Sequence, residues 1–238
     1  MYFTLKTGSM DLSHIEYWVF DLDNTLYPAE ARLFDQIEAR MEQFIMRELG
    51  IGTDAARKLR ADFWHNHGTT LAGLMEVYGI DPDPFLQEVH DIDLAHLAPA
   101  PDLAAALFAL PGYRAIYTNG SRQHGENVSS ARGIRDAFHA IFGIEDAAYH
   151  PKPAASAFDH IIARAGIDPA RAIMFEDDPR NLIVPARLGM VTVLVGAALP
   201  GTGAADITDA HIHHHTADLA GFLQHAIICP ACPPETCA

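Results

Sequence analysis

Cysteine is almost absent from this chain. Only three occur in 238 residues, Cys229, Cys232 and Cys237, and all sit at the C-terminal end. The rest of the sequence therefore holds no disulfide framework, and a reducing cytoplasm is the expected compartment. Basic residues are scarce as well: 16 Lys and Arg stand against 31 Asp and Glu, for a formal net charge of −15. Binding to polymeric nucleic acid needs a basic surface, so that class is excluded. An anionic small molecule would have to be met by a local positive field. No stretch approaches the roughly 18 apolar residues of a membrane span, and residues 1–13 lack the apolar core of a signal peptide. No membrane partner is expected.

Hydrophobic residues make up 49% of the chain and charged residues 20%, which suits a soluble globule. The length accommodates a large domain, or a core with an inserted subdomain. Apolar runs near 16–21, 114–119, 172–177 and 191–195 read as strands. Helical patterns lie between most of them. Leu103, Leu107 and Leu110 precede Pro111-Gly112, and Phe158, Ile161, Ile162 and Ala165 end at Gly166. Alternating strands and helices predict an α/β fold with a Rossmann-like parallel sheet.

Residues 28–96 break the alternation. Leu33, Ile37, Met41, Phe44 and Ile45 form one helical stripe, and Leu59, Phe63, Leu71, Leu74, Met75 and Tyr78 continue in that style. A connection this long is unusual, and an all-helical cap inserted after the first strand is the expectation. Pro99-Ala100-Pro101 marks the return to the sheet. The predicted division is a core of residues 14–27 and 97–225, a helical cap of 28–96, and a flexible tail of 226–238. His211, His213, His214 and His215 with the three cysteines invite a zinc reading. Their spacing is not that of a finger, and a thiol-bearing tail is expected instead.

The chemistry concentrates at strand ends. Tyr17-Trp18-Val19-Phe20 runs into Asp21-Leu22-Asp23-Asn24-Thr25. Carboxylates ending a buried strand are costly to desolvate. They are tolerable at the carboxyl edge of a parallel sheet, where open α/β folds bind ligands. A turn at Leu22 would offer one as nucleophile and the other as acid/base. A second run, Ile116-Tyr117, ends in Thr118-Asn119-Gly120. Lys152 follows between Pro151 and Pro153, and a third run ends in Glu176-Asp177-Asp178. Three adjacent acids repel unless a cation is present, and magnesium, with its oxygen ligands, suits them. Asp178 also stands where it would cap a helix opening at Pro179.

In this order, the Asp pair, hydroxyl, lysine and acid cluster resemble the haloacid dehalogenase superfamily, whose phosphatases work through an aspartyl-phosphate. The resemblance extends from about Tyr17 to Leu223. It implies Asp21 as nucleophile, Asp23 as general acid/base, Thr118 as a phosphoryl hydrogen-bond donor and Lys152 as the neutralising cation. It further implies a magnesium ion held by Asp21, Asp177 and the backbone carbonyl of Asp23. Glu176, Asp178 and Asn181 would lie in its outer sphere. Glu176 stands where many relatives have Gly, and Asn181 where they have a second Asp.

Within the superfamily the chain looks most like the pyrimidine 5'-nucleotidase-like branch. The residues carrying this are 67–75, 89–94, Tyr117-Thr118-Asn119-Gly120, Met174-Phe175-Glu176-Asp177, and the first motif extended through Leu26-Tyr27. The implied substrate is a small phosphorylated metabolite, a nucleoside 5'-monophosphate first. Asn119, Gly120, His67, Thr69 and Thr70 are its expected contacts, and Trp64 and His65 lie in the same polar–aromatic stretch, Trp64 reading as cap core. Other phosphometabolite phosphatases, a phosphosugar mutase and a non-catalytic binding module are the competing readings. The sequence leaves the oligomeric state open.

Overall fold

The computed structural model describes residues 11–196 and 210–228. Strand β1 (Tyr17–Phe20) leads into four helices, α1 (Leu33–Leu49), α2 (Thr53–His67), α3 (Thr70–Tyr78) and α4 (Pro82–Val89). The chain returns through α5 (Pro101–Ala109), β2 (Tyr113–Tyr117), α6 (Arg122–Ala131) and β3 (Ala140–Phe142). It continues through α7 (Ala155–Ala165), β4 (Ala172–Glu176), α8 (Ile183–Leu188), β5 (Val191–Val195), β6 (His214–Thr216) and α9 (Leu219–Ile228).

The strands form one sheet in the order β3-β2-β1-β4-β5-β6, every pairing parallel. The sheet is buried on both faces, as parallel sheets are. Alternate residues of β1 divide between the layers. Trp18 and Phe20 pack with Phe175 of β4 on the side covered by α5 and α9. Val19 packs with Met174, Phe158 and Ile161 on the side of α7. Phe20 and Phe175 stack at 4.6 Å between ring centroids, which pins β1 beside β4.

Helices α1–α4 have a core of their own, built on Ile37, Phe44, Ile45, Phe63, Leu74, Phe85 and Val89. Gly73 is required there: a Cβ would lie 2.3 Å from the Phe63 ring, so α2 and α3 could not approach as they do. Thr69 caps α3 by accepting from the Ala72 amide. The insertion is all-helical, as expected. Strands β3 and β6 were not anticipated; each is three residues long, too short to show a period. Asp178 caps a short 3-10 turn at Pro179–Leu182, where an α-helix was expected. Helix α9 runs to Ile228, so residues 226–228 of the expected tail are helical; the three cysteines lie outside the described residues. Among the described residues no helix is long and apolar enough to cross a membrane.

Candidate active site

Every sheet-end motif arrives at the carboxyl edge of one parallel sheet. The chain leaves β1 for β2 on one side, while β4 lies on the other. That reversal of strand order is where open α/β sheets form a ligand crevice. Asp21 follows β1, Thr118 follows β2, and Glu176 with Asp177 ends β4. Helices α1–α4 stand over this edge. Between them and the sheet lies a cavity of about 500 Å³, within the range of small-molecule sites.

Lys152 reaches this point from the loop before α7 and is only 1% exposed. Its Nζ donates to Asp21 Oδ1 at 2.6 Å, to Glu176 Oε2 at 2.7 Å and to the Tyr117 carbonyl at 3.1 Å. All three ammonium protons thus have acceptors, which makes so deep a charge tolerable. Burial alone would lower the Lys152 pKa, but its two carboxylate partners raise it, and the lysine stays charged.

Carboxylate oxygens of Asp21, Glu176 and Asp177 lie within 4.8 Å of one another. One lysine cannot balance three such charges. Burial first, and the Glu176 charge second, push Asp21 up to about 8. Burial likewise carries Glu176 to about 7, and Asp177 to about 6 with the Asp21 charge adding to it. Protons fill the deficit that a divalent cation would fill, and an all-oxygen donor set of this kind fits magnesium. Asn24, whose φ of 59° turns the chain after Asp23, donates to Asp177 Oδ2 at 3.3 Å.

Asp23 has different surroundings. Its Oδ1 accepts from the Tyr27 hydroxyl at 2.6 Å and lies 2.9 Å from His124 Nε2. Burial opposes its charge, but His124 and Tyr27 outweigh that, and Asp23 falls to about 2. The two aspartates of one five-residue motif are therefore driven in opposite directions by their neighbours. Thr118 Oγ1 accepts from the Gly120 amide at 2.9 Å and sits 3.4 Å from Asp23 Oδ2. Its own proton goes to Asp23 through that long hydrogen bond.

The other expected site residues divide. Asn119 and Gly120 line the cavity. Asn119 also clamps the lysine loop, accepting from the Lys152 amide at 2.8 Å and donating to the Lys152 carbonyl at 3.2 Å. Asp178 and Asn181 line it beside the acid cluster, and Glu176 is the hydrogen-bond partner of Lys152. Thr69 and Thr70 line it as well. His67 is not among the lining residues: its Nδ1 lies 2.9 Å from Glu76 Oε2 and its ring meets Phe63 edge-on. His65 is exposed and does not line it either. Trp64 is not buried in a cap core, as the sequence suggested. It is 47% exposed, lines the cavity, and carries the Arg180 guanidinium 4.0 Å from its ring centroid.

Several residues were missed as site components. Tyr27 and His124 hold Asp23. His90 stacks on His124 at 4.4 Å and contacts Ser121, joining the end of the helical insertion to the residue that holds Asp23. Arg60 and Glu38 form an ion pair on the insertion's side of the cavity. His124 carried one usable signal, its place one helical turn beyond Thr118-Asn119-Gly120. Arg60 and Glu38 carried none, because charged residues on an amphipathic helix ordinarily face solvent. Of the histidines in 211–215, His211 bonds to the Pro179 carbonyl, His213 to Thr192, and His215 to the Gly196 carbonyl.

A family model described as haloacid dehalogenase-like hydrolase matches residues 15–189. Among solved structures, the chain resembles a haloacid dehalogenase-type phosphatase from Thermococcus onnurineus, with a TM-score of 0.58 at 17% identity over 88% of this chain and 97% of that one. It also resembles a hydrolase of that class from Bacillus subtilis bound to magnesium, with a TM-score of 0.56 at 16% identity over 90% and 98%. The L-2-haloacid dehalogenase of Xanthobacter autotrophicus is similar too, with a TM-score of 0.54 at 18% identity over 88% and 97%. At these identities the likeness to solved structures is one of fold.

Proposed function

The chain belongs to the haloacid dehalogenase-like hydrolase family, and on that premise we propose that it is a magnesium-dependent phosphomonoester hydrolase. It works through an aspartyl-phosphate, with pyrimidine nucleoside 5'-monophosphates, UMP and CMP, as substrates. The observation that carries the reading is Asp23 held by Tyr27 and His124 within reach of Thr118. A halide leaves carbon without a proton, so a dehalogenase has no use for an acid there. An alkoxide leaving phosphorus needs one.

Asp21 attacks phosphorus: its carboxylate oxygen forms the new O–P bond as the bond to the leaving alkoxide breaks. Asp23 gives that alkoxide its proton. Substrate phosphate beside Asp23 adds negative charge that favours the protonated form needed for this step. In the second half Asp23, ionised again, takes a proton from water; the hydroxide attacks phosphorus, the aspartyl O–P bond breaks, and Asp21 returns as carboxylate with inorganic phosphate released. Lys152 offsets the Asp21 charge and holds its carboxylate in one orientation. Thr118 donates to a phosphoryl oxygen. Asp21, Asp177 and the Asp23 carbonyl would hold magnesium, which when bound supplies positive charge to the phosphoryl oxygens. The helical insertion acts as a cap, excluding water and presenting Trp64, Thr69 and Thr70 to the leaving group.

The test is a phosphate-release screen with and without magnesium, across pyrimidine and purine nucleotides, phosphosugars and phosphoglycolate. UMP and CMP are expected to rank first. Faster turnover of phosphosugars would move the substrate assignment. No release from any of them, a generic aryl phosphate included, would remove the phosphatase reading.

A further inference from the structure

Three side chains of fixed positive charge line the cavity, and each already has a carboxylate. Lys152 pairs with Asp21 and Glu176, Arg180 with Asp178, and Arg60 with Glu38. Arg60 has a second acid as well, since its Nε lies 3.4 Å from Glu42 Oε1. Glu42 is shared with Arg57, so two guanidiniums face two carboxylates and Arg60 brings no spare positive charge to the cavity. Glu38 stands on α1 and Arg60 on α2, among the apolar walls made by Ile37, Met41, Leu71 and Phe85. The two meet on the insertion's side of the cavity, across from the Asp21 centre, where the part of a substrate beyond its phosphate must lie.

We infer that Glu38, paired with Arg60, is a charge filter for the leaving group: phosphomonoesters with neutral leaving groups are accepted, and those carrying a second anion are turned away. This rests on the phosphatase reading above. A carboxylate or second phosphate on the leaving group would have two options. It could take Arg60 from Glu38, leaving that carboxylate without its cation beside the new anion. Alternatively it could sit beside the Glu38 charge. Both oppose binding. A neutral polar leaving group meets no such opposition, and can donate hydrogen bonds to Glu38 while its apolar faces lie on the wall. Glu38 is 37% exposed on its side chain and so faces the open cavity. The filter separates nucleoside monophosphates from phosphoglycolate and from the bisphosphates that a phosphosugar mutase handles.

Matched probes isolate the charge. Para-carbamoylphenyl phosphate and para-carboxyphenyl phosphate share size and shape, and UMP and orotidine 5'-monophosphate differ by one carboxylate. With magnesium present, the wild-type protein is expected to favour the neutral member of each pair by about tenfold or more in kcat/KM, a difference of ~1.4 kcal/mol. Glu38→Gln should lower that preference by about the same factor. Glu42→Gln, whose carboxylate does not line the cavity, should lower it much less. A wild-type ratio near one overturns the filter even if a variant fails to fold. So does a ratio unmoved in a folded Glu38→Gln protein, or one moved equally by Glu42→Gln. Phosphate released at equal rates from both members sinks the filter alone; no release from any of the four probes sinks the phosphatase reading and the filter with it.

Discussion

Asp21 and Asp23 are two residues apart, yet one is pushed up to about 8 and the other down to about 2. The cause is their neighbours: burial and Glu176 for the first, His124 and Tyr27 for the second. The roles proposed for them differ accordingly. Asp21→Asn is expected to abolish turnover with the fold intact, because the amide matches the carboxylate in size but cannot attack phosphorus. Wild-type rates in that variant, with deamidation excluded by mass spectrometry, would rule out the aspartyl-phosphate. Asp23→Asn should slow both half-reactions by about 10² to 10⁴, with esters of good leaving groups least affected in the first. His124 touches Asp23, so it acts as a positioning residue. His124→Ala should cost about tenfold to a hundredfold in kcat and steepen the dependence on leaving-group pKa. A uniform loss across leaving groups would mean that His124 supports only the fold.

At the scale of elements, the informative contacts join one segment to another. Asn119, after β2, holds the backbone of the loop that carries Lys152 through two hydrogen bonds. Asn119→Ala breaks both. It should destabilise the protein by about 1–3 kcal/mol, measured by denaturant unfolding, and raise KM more than it lowers kcat. No change in KM would mean that the lysine loop positions itself. The helical insertion offers a sharper comparison. Thr69 and Thr70 line the cavity, whereas His67 lies against Glu76 and Phe63. Substitutions that keep the α3 cap, such as Thr69→Ser, should reorder UMP and CMP against purine nucleotides, and His67→Ala should not. The same reordering in both would place specificity in the insertion's fold and not in its lining.

For the molecule as a whole, magnesium and stability are linked. Without a cation, Asp177, Glu176 and Asp21 have folded-state pKa values near 6, 7 and 8, all above their unfolded values. A raised pKa gives stability that is fully present below the unfolded value and lost as pH rises through the folded one. In chelator the protein should therefore lose stability as pH climbs from about 4, the unfolded carboxylate value, to about 8. Magnesium, by binding the ionised carboxylates, should offset that loss. The measurement is Tm against pH with and without magnesium. The gap should widen with pH, and activity should vanish in chelator with calcium a poor replacement. A gap constant across pH would sever the cation from these carboxylates. Removing residues after Ile228 should leave kcat unchanged, since every site residue falls between Asp21 and Asn181.

The sequence by itself determined the parallel α/β core and the helical insertion, and it singled out Asp21, Asp23, Thr118, Lys152 and Asp177, which the fold brings to one cavity. Buried apolar runs announce strands, and a costly carboxylate or lysine at the end of such a run has few uses besides chemistry. The sequence could not assign Tyr27, His124, His90, Glu38 or Arg60. Their meaning depends on what stands opposite, and an arginine on an amphipathic helix reads as solvated until the facing element is known. It also misjudged Trp64, whose apolar ring suggested a core position but lies half exposed under Arg180. Tertiary structure decided these because pairings across elements, such as Asp23 with His124 or Glu38 with Arg60, are set by how strands and helices stack. No local period along the chain encodes them.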